Sequence, residues 1–578
     1  MRAVRMNVPA RVILAALSAS ALLASLLAAP APAAAECATT PIVMPAAQIG
    51  AGMTGTGLTT VRGSTPTGFN IEVIGTLENA ILPGHDLVMF EITGPQSFLD
   101  QAHGMFFGMS GSPIFINGML AGAASYRFYF SDAVIGLFTP AEEMMRIVEP
   151  VTSMPSSVTL TADARRAVAT TTGTPLSETP ATAQMLRTPL AVSGMSGEQL
   201  DELQASLDER GLPIDVVASG SPSAALDPTP LAPGSPMGAA ISLGDVSWVG
   251  LGTATFVCGS GVNVGFGHPF FFSGSSAMAM TDAEVLTILD DPSGIYGPGM
   301  IATPGDIHGT VLEDRFTGIA GQAGPAPDAM VIASDYTNAD RGNTRLGQTD
   351  VYYQEDWWAP DLAWYHNEVN LEVVFDQFGA GSLDLAYTIE GVREDGTTPF
   401  KVTNSILLSS DYSAFDGIYK MTSAMYTLAF NGFEEVTFTS VDTVGTVTEE
   451  RLEGEITRVR TASNLQPSLR SRGVQKVRAN GVVTVEVTLD PREPGDEVTV
   501  VFKLRAGGRP GYDVVKLRGG REQLYVDERR LGSFDELIEE LSGGSHANEI
   551  VAKGLGRVAV GTDLMVTGKG SFTIKVIG

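Results

Sequence analysis

The chain has few cysteines and few histidines. Its 578 residues include two cysteines, Cys37 and Cys258, and six histidines. Two cysteines without a histidine–cysteine cluster exclude a tetrahedral zinc site. Because exported proteins commonly pair their cysteines, we predict a disulfide between Cys37 and Cys258. The scarcity of histidine also limits the candidates for a general base.

Basic residues are scarce relative to acidic ones. The chain has 36 Lys and Arg against 65 Asp and Glu, which gives a net charge of −29 and a pI of about 4.5. Nucleic-acid binding requires a basic surface, so nucleic acid is excluded as a partner. No phosphate loop or dinucleotide fingerprint stands at a strand-to-helix junction, and no cofactor is predicted.

Long apolar runs are absent except at the N-terminus. Arg2, Arg5 and Arg11 accompany the run VILAALSASALLASLLAA, and small residues precede Glu36. This pattern predicts a signal peptide over residues 1–35. The alternative is an uncleaved membrane anchor. We expect a secreted or cell-envelope-associated protein with no membrane span after cleavage, because no other segment is long and apolar enough.

The length allows roughly four domains of about 150 residues. After the signal peptide, strand-like runs and turn signals predict a β-rich unit that contains a serine motif, and then linkers with one short helix. A second β-rich unit contains a histidine motif, and a β-rich middle domain and a β-sandwich-like domain follow. The predicted bounds are 38–150, 151–236, 237–330, 331–450 and 451–578.

Several local signals predict individual elements. Asn117-Gly118 predicts a hairpin turn. A helix is expected to begin at Thr139 as N-cap, and others at Ser196 and Ser533, because each has a Glu or Gln three residues later. NEVNLEVVFDQF, at 367–378, alternates as a strand does. The tryptophans of VYYQEDWWAPDLAWYHNE are interpreted as a packing core rather than a ligand-stacking surface.

A serine stands in the tight turn GMSGSP, at residues 108–113. A nucleophilic serine requires an exposed oxygen on a sharp turn and nearby N–H groups that stabilise an oxyanion. Gly108 and Gly111 allow the unusual dihedrals of such a turn. The amides of Gly108 and Ser110 are the candidate oxyanion hole. GMSG recurs at 194–197 before a helix, so a purely structural turn is the alternative.

His268 is the best candidate for the base that activates Ser110. It lies in VNVGFGHPFFFSG, at 262–274, where a strand ends between glycines. Such a position favours close approach of another chain segment. The alternative is a buried structural histidine. His103 lies on the loop that contains the serine and is a weaker candidate.

Two blocks carry a family likeness. GMFFGMSGSPIFINGMLAGAAS resembles the nucleophile block of the stage IV sporulation protein B peptidases, and GDVSWVGLGTATFVCGSGVNVGFGHPF resembles their histidine block. A third, looser match is GDIHGTVLEDRFTGIAGQAG, at 305–324. The resemblance covers roughly 45–150 and 235–325 and is to a family of serine peptidases in the chymotrypsin-like clan, in its longer exported form.

The resemblance implies that Ser110 is the nucleophile, His268 the general base and Gly108 part of the oxyanion hole. The order of the two blocks is reversed here, which a triad tolerates because geometry and not chain order defines it. The acidic residue that the family places before the serine block is missing. Asp245 is the first substitute and Asp100 the second, and a Ser-His dyad is the third option.

The resulting fold class is mostly β. The resemblance implies two chymotrypsin-like β-barrel units in swapped sequence order, followed by β-rich and sandwich domains. The function it implies is an exported serine endopeptidase that cleaves protein or peptide substrates by acyl transfer. The alternative is a catalytically inactive envelope-binding protein that retains the peptidase scaffold.

Overall fold

A computed structural model describes most of the chain: 41–128, 134–147, 157–221, 230–291, 297–355, 357–377, 379–413, 415–523 and 525–578. The predicted signal peptide and Cys37 lie outside the described residues. Within these ranges, no helix combines the length and the apolar character needed to cross a bilayer. The fold is mostly β, as predicted.

The first unit is a closed six-stranded barrel. Its strands pair in the order β4-β1-β2-β3-β6-β5, and pairing of β5 with β4 closes the ring. Gly118 and Asn117 take positive φ in the β4–β5 turn, which confirms the predicted hairpin. The elements are β1 Thr54–Thr59, β2 Thr67–Leu82, β3 His85–Gly94, α1 Gln96–Ala102, β4 Pro113–Ile116, β5 Met119–Arg127, β6 Ile135–Pro140 and α2 Ala141–Met144.

Short elements occupy the described part of the predicted linker region and join the first barrel to the next sheet. A short strand, β8, adds to β5, while β9 pairs with the following sheet. Ser196 caps α4 with Gln199 as its partner, as predicted. The elements are β7 Ser157–Thr159, α3 Ala162–Thr172, β8 Thr182–Met185, β9 Thr188–Ser193, α4 Gly197–Glu209 and β10 Ile214–Ala218.

A mixed sheet of 13 strands follows and contains a second ring. Six consecutive strands, β11 to β16, form this ring in the order β12-β13-β16-β15-β14-β11, and β11 pairs with β12 to close it. We call it the second barrel. Its strands are β11 Pro236–Gly244, β12 Ser247–Val257, β13 Val262–Gly265, β14 Gly274–Leu289, β15 Gly299–Arg315 and β16 Gly318–Ala323.

The same sheet continues beyond the second barrel, through the pairing of β11 with β18. Two helices pack against this extension, and Trp358 lies in their shared apolar core, which confirms the packing role predicted for the tryptophans. The elements are β17 Met330–Asn338, β18 Thr344–Val351, α5 Trp358–Phe375, β19 Gly381–Arg393, β20 Pro399–Ser410, α6 Ile418–Ala429 and β21 Val436–Thr448.

The C-terminal strands curve into a nearly closed barrel where a sandwich was predicted. Ser533 caps α7, as predicted. The elements are β22 Glu453–Ser463, β23 Gln466–Arg470, β24 Val474–Arg478, β25 Val482–Pro491, β26 Val498–Arg505, β27 Gly511–Gly519, α7 Phe534–Ser542, β28 Glu549–Lys553, β29 Arg557–Gly561 and β30 Met565–Ile577.

Two local predictions are wrong. The alternating segment 367–378 belongs largely to α5 and not to a strand. Its asparagines Asn367 and Asn370 are fully buried while Val373 is 59% exposed, so the alternation does not follow solvent exposure. Thr139 is not a helix cap either, because the N-cap of α2 is Pro140. The Thr139 hydroxyl instead donates to the carbonyl of Gly267 in the second barrel, at 2.7 Å.

Candidate active site

The Ser110 turn lies between α1 and β4, and glycines shape it. Gly108 and Gly111 take φ values of 94° and 95°, a region that side chains with a Cβ rarely occupy. Ser110 is fully buried, and its Oγ has no hydrogen-bond partner among the described residues. A buried hydroxyl normally finds a partner, so this one is a candidate for function.

The amides of this turn alternate between bonded and unbonded. The N–H groups of Met109 and Gly111 donate to backbone carbonyls at 3.1 and 2.8 Å. Those of Gly108 and Ser110 donate to no acceptor in the described part of the chain. Two unpaired amides beside a serine hydroxyl are the donors that an oxyanion hole requires.

His268 lies in the turn that follows β13. Its Nδ1 lies 2.8 Å from the carbonyl oxygen of Pro269, and its Nε2 has no hydrogen-bond partner within the described ranges. Because a carbonyl only accepts, Nδ1 carries the proton and Nε2 is left as the acceptor. Burial lowers the pKa of His268 to about 4, so the imidazole is neutral at pH 7.

A buried carboxylate shapes the segment after His268. Asp314 accepts the backbone N–H groups of Phe270 and Phe271 at 2.8 and 2.7 Å, and that of Ser273 at 3.3 Å. Asp314 is fully buried, and its burial raises the pKa of the carboxyl group. The three N–H bonds hold this loop in one conformation and thereby fix where the histidine turn lies.

The second barrel binds the Ser110 turn directly, through β12. The Thr253 N–H donates to the Ser110 carbonyl at 2.8 Å, and its Oγ1 donates to the Gly108 carbonyl at 3.0 Å. The Thr255 Oγ1 donates to the Gly111 carbonyl at 2.7 Å. Three buried bonds therefore fix the serine turn of one barrel against a strand of the other.

The histidine turn and the serine turn meet at one carbonyl group of β5. The Gly111 N–H donates to the Ala124 carbonyl at 2.8 Å. A Cβ built on Gly267 would lie 3.2 Å from the same oxygen. Gly111 follows Ser110 and Gly267 precedes His268, so the residues next to both sequence-predicted side chains meet at this carbonyl.

The candidate carboxylates lie elsewhere. One Asp245 oxygen lies 2.9 Å from a guanidinium nitrogen of Arg345, and the other accepts the Gln348 N–H at 3.1 Å. Asp100 is exposed and accepts a hydrogen bond from the Gln96 amide on α1. The His268 Nδ1 contacts the Pro269 carbonyl, and no carboxylate bonds to it in the described part of the chain.

The remaining sequence-predicted site concerns the cysteines. Cys258 is 3% exposed at the end of β12. Because Cys37 lies outside the described residues, the disulfide between them stays a prediction. Among the described residues, no group of three or more His, Cys, Asp or Glu side chains is arranged to hold a metal ion.

Sequence reasoning missed the residues that hold the two turns together. Thr253 and Thr255 lie in the motif GTATF of the histidine block, and their spacing of two places both side chains on one face of a strand. The sequence therefore contained a signal for these two threonines. Asp314 lies in LEDRF, and Ala124 acts only through its backbone. Neither residue carries a sequence signal that distinguishes it from its neighbours.

Comparison with known proteins identifies a family domain in the part of the chain that contains the serine turn. The family of SpoIVB peptidase S55 matches residues 33–145, a segment that includes Ser110 and the whole of the first barrel. No curated protein and no solved structure matches the chain. Residues 33–145 are therefore a SpoIVB peptidase S55 domain. Because this is a family of serine peptidases, the domain identifies the chain as a serine peptidase.

Proposed function

We propose that the protein is an exported endopeptidase that cleaves protein substrates with Ser110 as nucleophile and His268 as general base. The observation that carries the proposal is the meeting of the two turns at the Ala124 carbonyl. The Ser110 Oγ and the His268 Nε2 are both buried and both unpartnered among the described residues. The two atoms are therefore not hydrogen bonded to each other in this structure; such a bond is often long before substrate binds and tightens in the complex.

The mechanism is acyl transfer in two steps. Ser110 Oγ attacks the carbonyl carbon of the substrate while His268 Nε2 takes the hydroxyl proton. The Gly108 and Ser110 amides stabilise the oxyanion, and His268 then donates the proton to the departing amine. Water, deprotonated by the same nitrogen, hydrolyses the acyl-enzyme and restores the serine.

The orienting group in this proposal is the carbonyl of Pro269 and not a carboxylate. Its bond to Nδ1 fixes the tautomer that leaves Nε2 free to accept a proton. A carbonyl stabilises the imidazolium less than a carboxylate does, so a Ser-His dyad implies slow turnover. Asp245, engaged by Arg345, is given a structural role.

We further propose that the two closed rings correspond to the two barrels of the chymotrypsin-like clan with their order swapped along the chain. The serine turn belongs to the first ring and the histidine turn to the second, and the site lies between them. The N-terminal pattern of residues 1–35 supports export, and we propose that the enzyme acts outside the cytoplasm.

The test is labelling with a fluorophosphonate, which reacts only with activated serines. Wild type is compared with Ser110→Ala, His268→Ala and the matched control Ser112→Ala. Ser112 is equally buried and unpartnered within the described ranges but lies two residues beyond the proposed nucleophile. We expect loss of labelling in Ser110→Ala, a fall of about a hundredfold or more in His268→Ala, and retention in Ser112→Ala.

The outcomes separate the two functions. Labelling that survives in Ser110→Ala would remove Ser110 from its role. A folded wild type that never labels, even with the site opened as described below, would favour the non-catalytic scaffold.

A further inference from the structure

A strand of the chain itself lies along the edge of β5 that leads to Ser110. β8 pairs antiparallel with β5, with Met185 opposite Tyr126 and Gln184 opposite Arg127. The Leu186 N–H then donates to the Ser125 carbonyl at 2.9 Å. These pairings are nonlocal and join β8 to β5, the second strand after the nucleophile.

The same edge of β5 carries the serine turn one residue further on. The Ala124 N–H donates to the Ser112 carbonyl at 3.0 Å, and the Ala124 carbonyl accepts from Gly111 at 2.8 Å. From Arg127 to Ser125, this edge of β5 pairs with β8 and Leu186. At Ala124 the same edge pairs with the serine turn. β8 therefore runs along this edge towards the serine turn.

The Leu186 side chain packs in the apolar core that also contains Met109, the residue before the nucleophile. It is fully buried and belongs to the same apolar cluster as Phe107, Met109 and Met300. Arg127 closes this region by donating to the Met105 carbonyl at 3.1 Å. We call the surroundings of this side chain the Leu186 pocket. A pocket beside a catalytic serine that holds one side chain of an extended strand is what sets peptidase specificity.

We propose that β8 occupies the substrate site and keeps the enzyme latent, and that substrates bind as the same extended strand with an aliphatic residue of the size of leucine in the Leu186 pocket. This inference rests on the proposed function, in which Ser110 is the nucleophile of a peptidase. Strand addition at a sheet edge recognises a backbone through hydrogen bonds and a sequence through alternate side chains. In a substrate, the bond after the residue in the Leu186 pocket is the one cleaved.

Latency follows from the connection between β8 and the site. An intramolecular strand competes with substrate at an effective concentration in the millimolar range. Ser110 is fully buried, and in this proposal a peptide gains access to it only when β8 leaves the edge of β5. The apparent affinity for substrate is reduced by the fraction of molecules in which β8 is bound.

The experiment weakens β8 in two independent ways. Leu186→Ala empties the Leu186 pocket, and Gln184→Pro removes a backbone N–H from the paired strand. The matched control is Leu176→Ala, which changes a 44% exposed leucine in the segment before β8. Thermal unfolding confirms that each variant is folded. Two changes are used because either one alone is open to a local packing effect.

Two readouts are measured on the mature full chain. The first is the rate of fluorophosphonate labelling, which we expect to rise at least tenfold in both β8 variants and to stay unchanged in Leu176→Ala. The second is fluorescence anisotropy with a labelled peptide Thr-Ala-Gln-Met-Leu, measured with Ser110→Ala added to every chain. We expect at least tenfold tighter binding to the β8 variants than to the chain with native β8.

The two readouts distinguish the failure of the inference from the failure of the proposed function. Equal labelling rates in wild type and both β8 variants, with equal peptide binding, would overturn the inference and leave the nucleophile assignment intact. Absence of labelling in every chain would count against the nucleophile, while the peptide would still report whether β8 fills a peptide site. A peptide with aspartate in place of its leucine should not bind, and equal binding would refute the specificity.

Discussion

Replacing Gly111 by alanine is expected to separate the two barrels at the site. A Cβ at this position would lie 1.9 Å from the Thr253 carbonyl oxygen and 2.4 Å from the Phe266 nitrogen. Both atoms belong to the backbone of the second barrel, so no rotamer change relieves the collision. The matched control is Gly118→Ala in the β4–β5 turn, where φ is also positive at 77° and nothing lies within 4 Å.

The expected magnitudes differ because only one site is crowded. Both substitutions place a Cβ in the left-handed region, at a cost of about 1 kcal/mol. Gly111→Ala adds the cost of an overpacked core, about 1–3 kcal/mol. We therefore expect the free energy of unfolding to fall by roughly 2–4 kcal/mol in Gly111→Ala and by about 1 kcal/mol in Gly118→Ala.

Urea unfolding measures the stability difference and fluorophosphonate labelling measures the alignment. A displacement of about 1 Å between nucleophile and base costs on the order of a hundredfold in rate. We expect such a loss of labelling in Gly111→Ala and less than a twofold change in Gly118→Ala. Equal stabilities and equal labelling rates for the two variants would refute the packing of the serine turn against the second barrel.

Three further predictions concern the histidine turn and its carboxylates. Asp245→Asn should reduce labelling by less than twofold because Asp245 pairs with Arg345, whereas a loss near 10⁴-fold would identify it as a triad member. Asp314→Asn removes one of the acceptors that hold the loop after His268, and labelling should fall about tenfold with a lower melting temperature. The folded-state pKa of His268, about 4, lies below its unfolded value of 6.5, so the unfolded chain binds this proton first as the pH falls. Its contribution to stability is complete above pH 6.5 and is lost at about 1.4 kcal/mol per pH unit down to pH 4. Burial lowers the pKa of His366 to about 4 as well, so the difference in unfolding free energy between wild type and His268→Asn, measured in urea, should show this slope.

The serine and histidine turns were within reach of sequence reasoning because glycines mark both of them. Glycine adopts positive φ more readily than other residues. Glycines beside a polar residue therefore indicate a constrained turn even in a single sequence. Asn117-Gly118 and the caps at Ser196 and Ser533 were equally accessible, since each depends on residues three or fewer positions apart.

Other features depend on contacts between distant parts of the chain. The sequence of α5 alternates as a strand does. The sheet against which the helix packs decides that Asn367 and Asn370 are buried, and a sequence does not show that contact. β8 has four residues and no distinctive pattern, and only its pairing with β5 gives it a role. Asp245 lies within the histidine block of the sequence, but its carboxylate contacts Arg345 on a strand about 100 residues later.

The most direct test of the account is a crystal structure of the protein after reaction with a fluorophosphonate. The account predicts phosphorus bonded to Ser110 Oγ, with the phosphoryl oxygen about 3 Å from the Gly108 and Ser110 amides and His268 facing the adduct. An adduct on another serine, or an adduct on Ser110 with His268 turned away from it, would contradict the proposed pairing of the two barrels in catalysis.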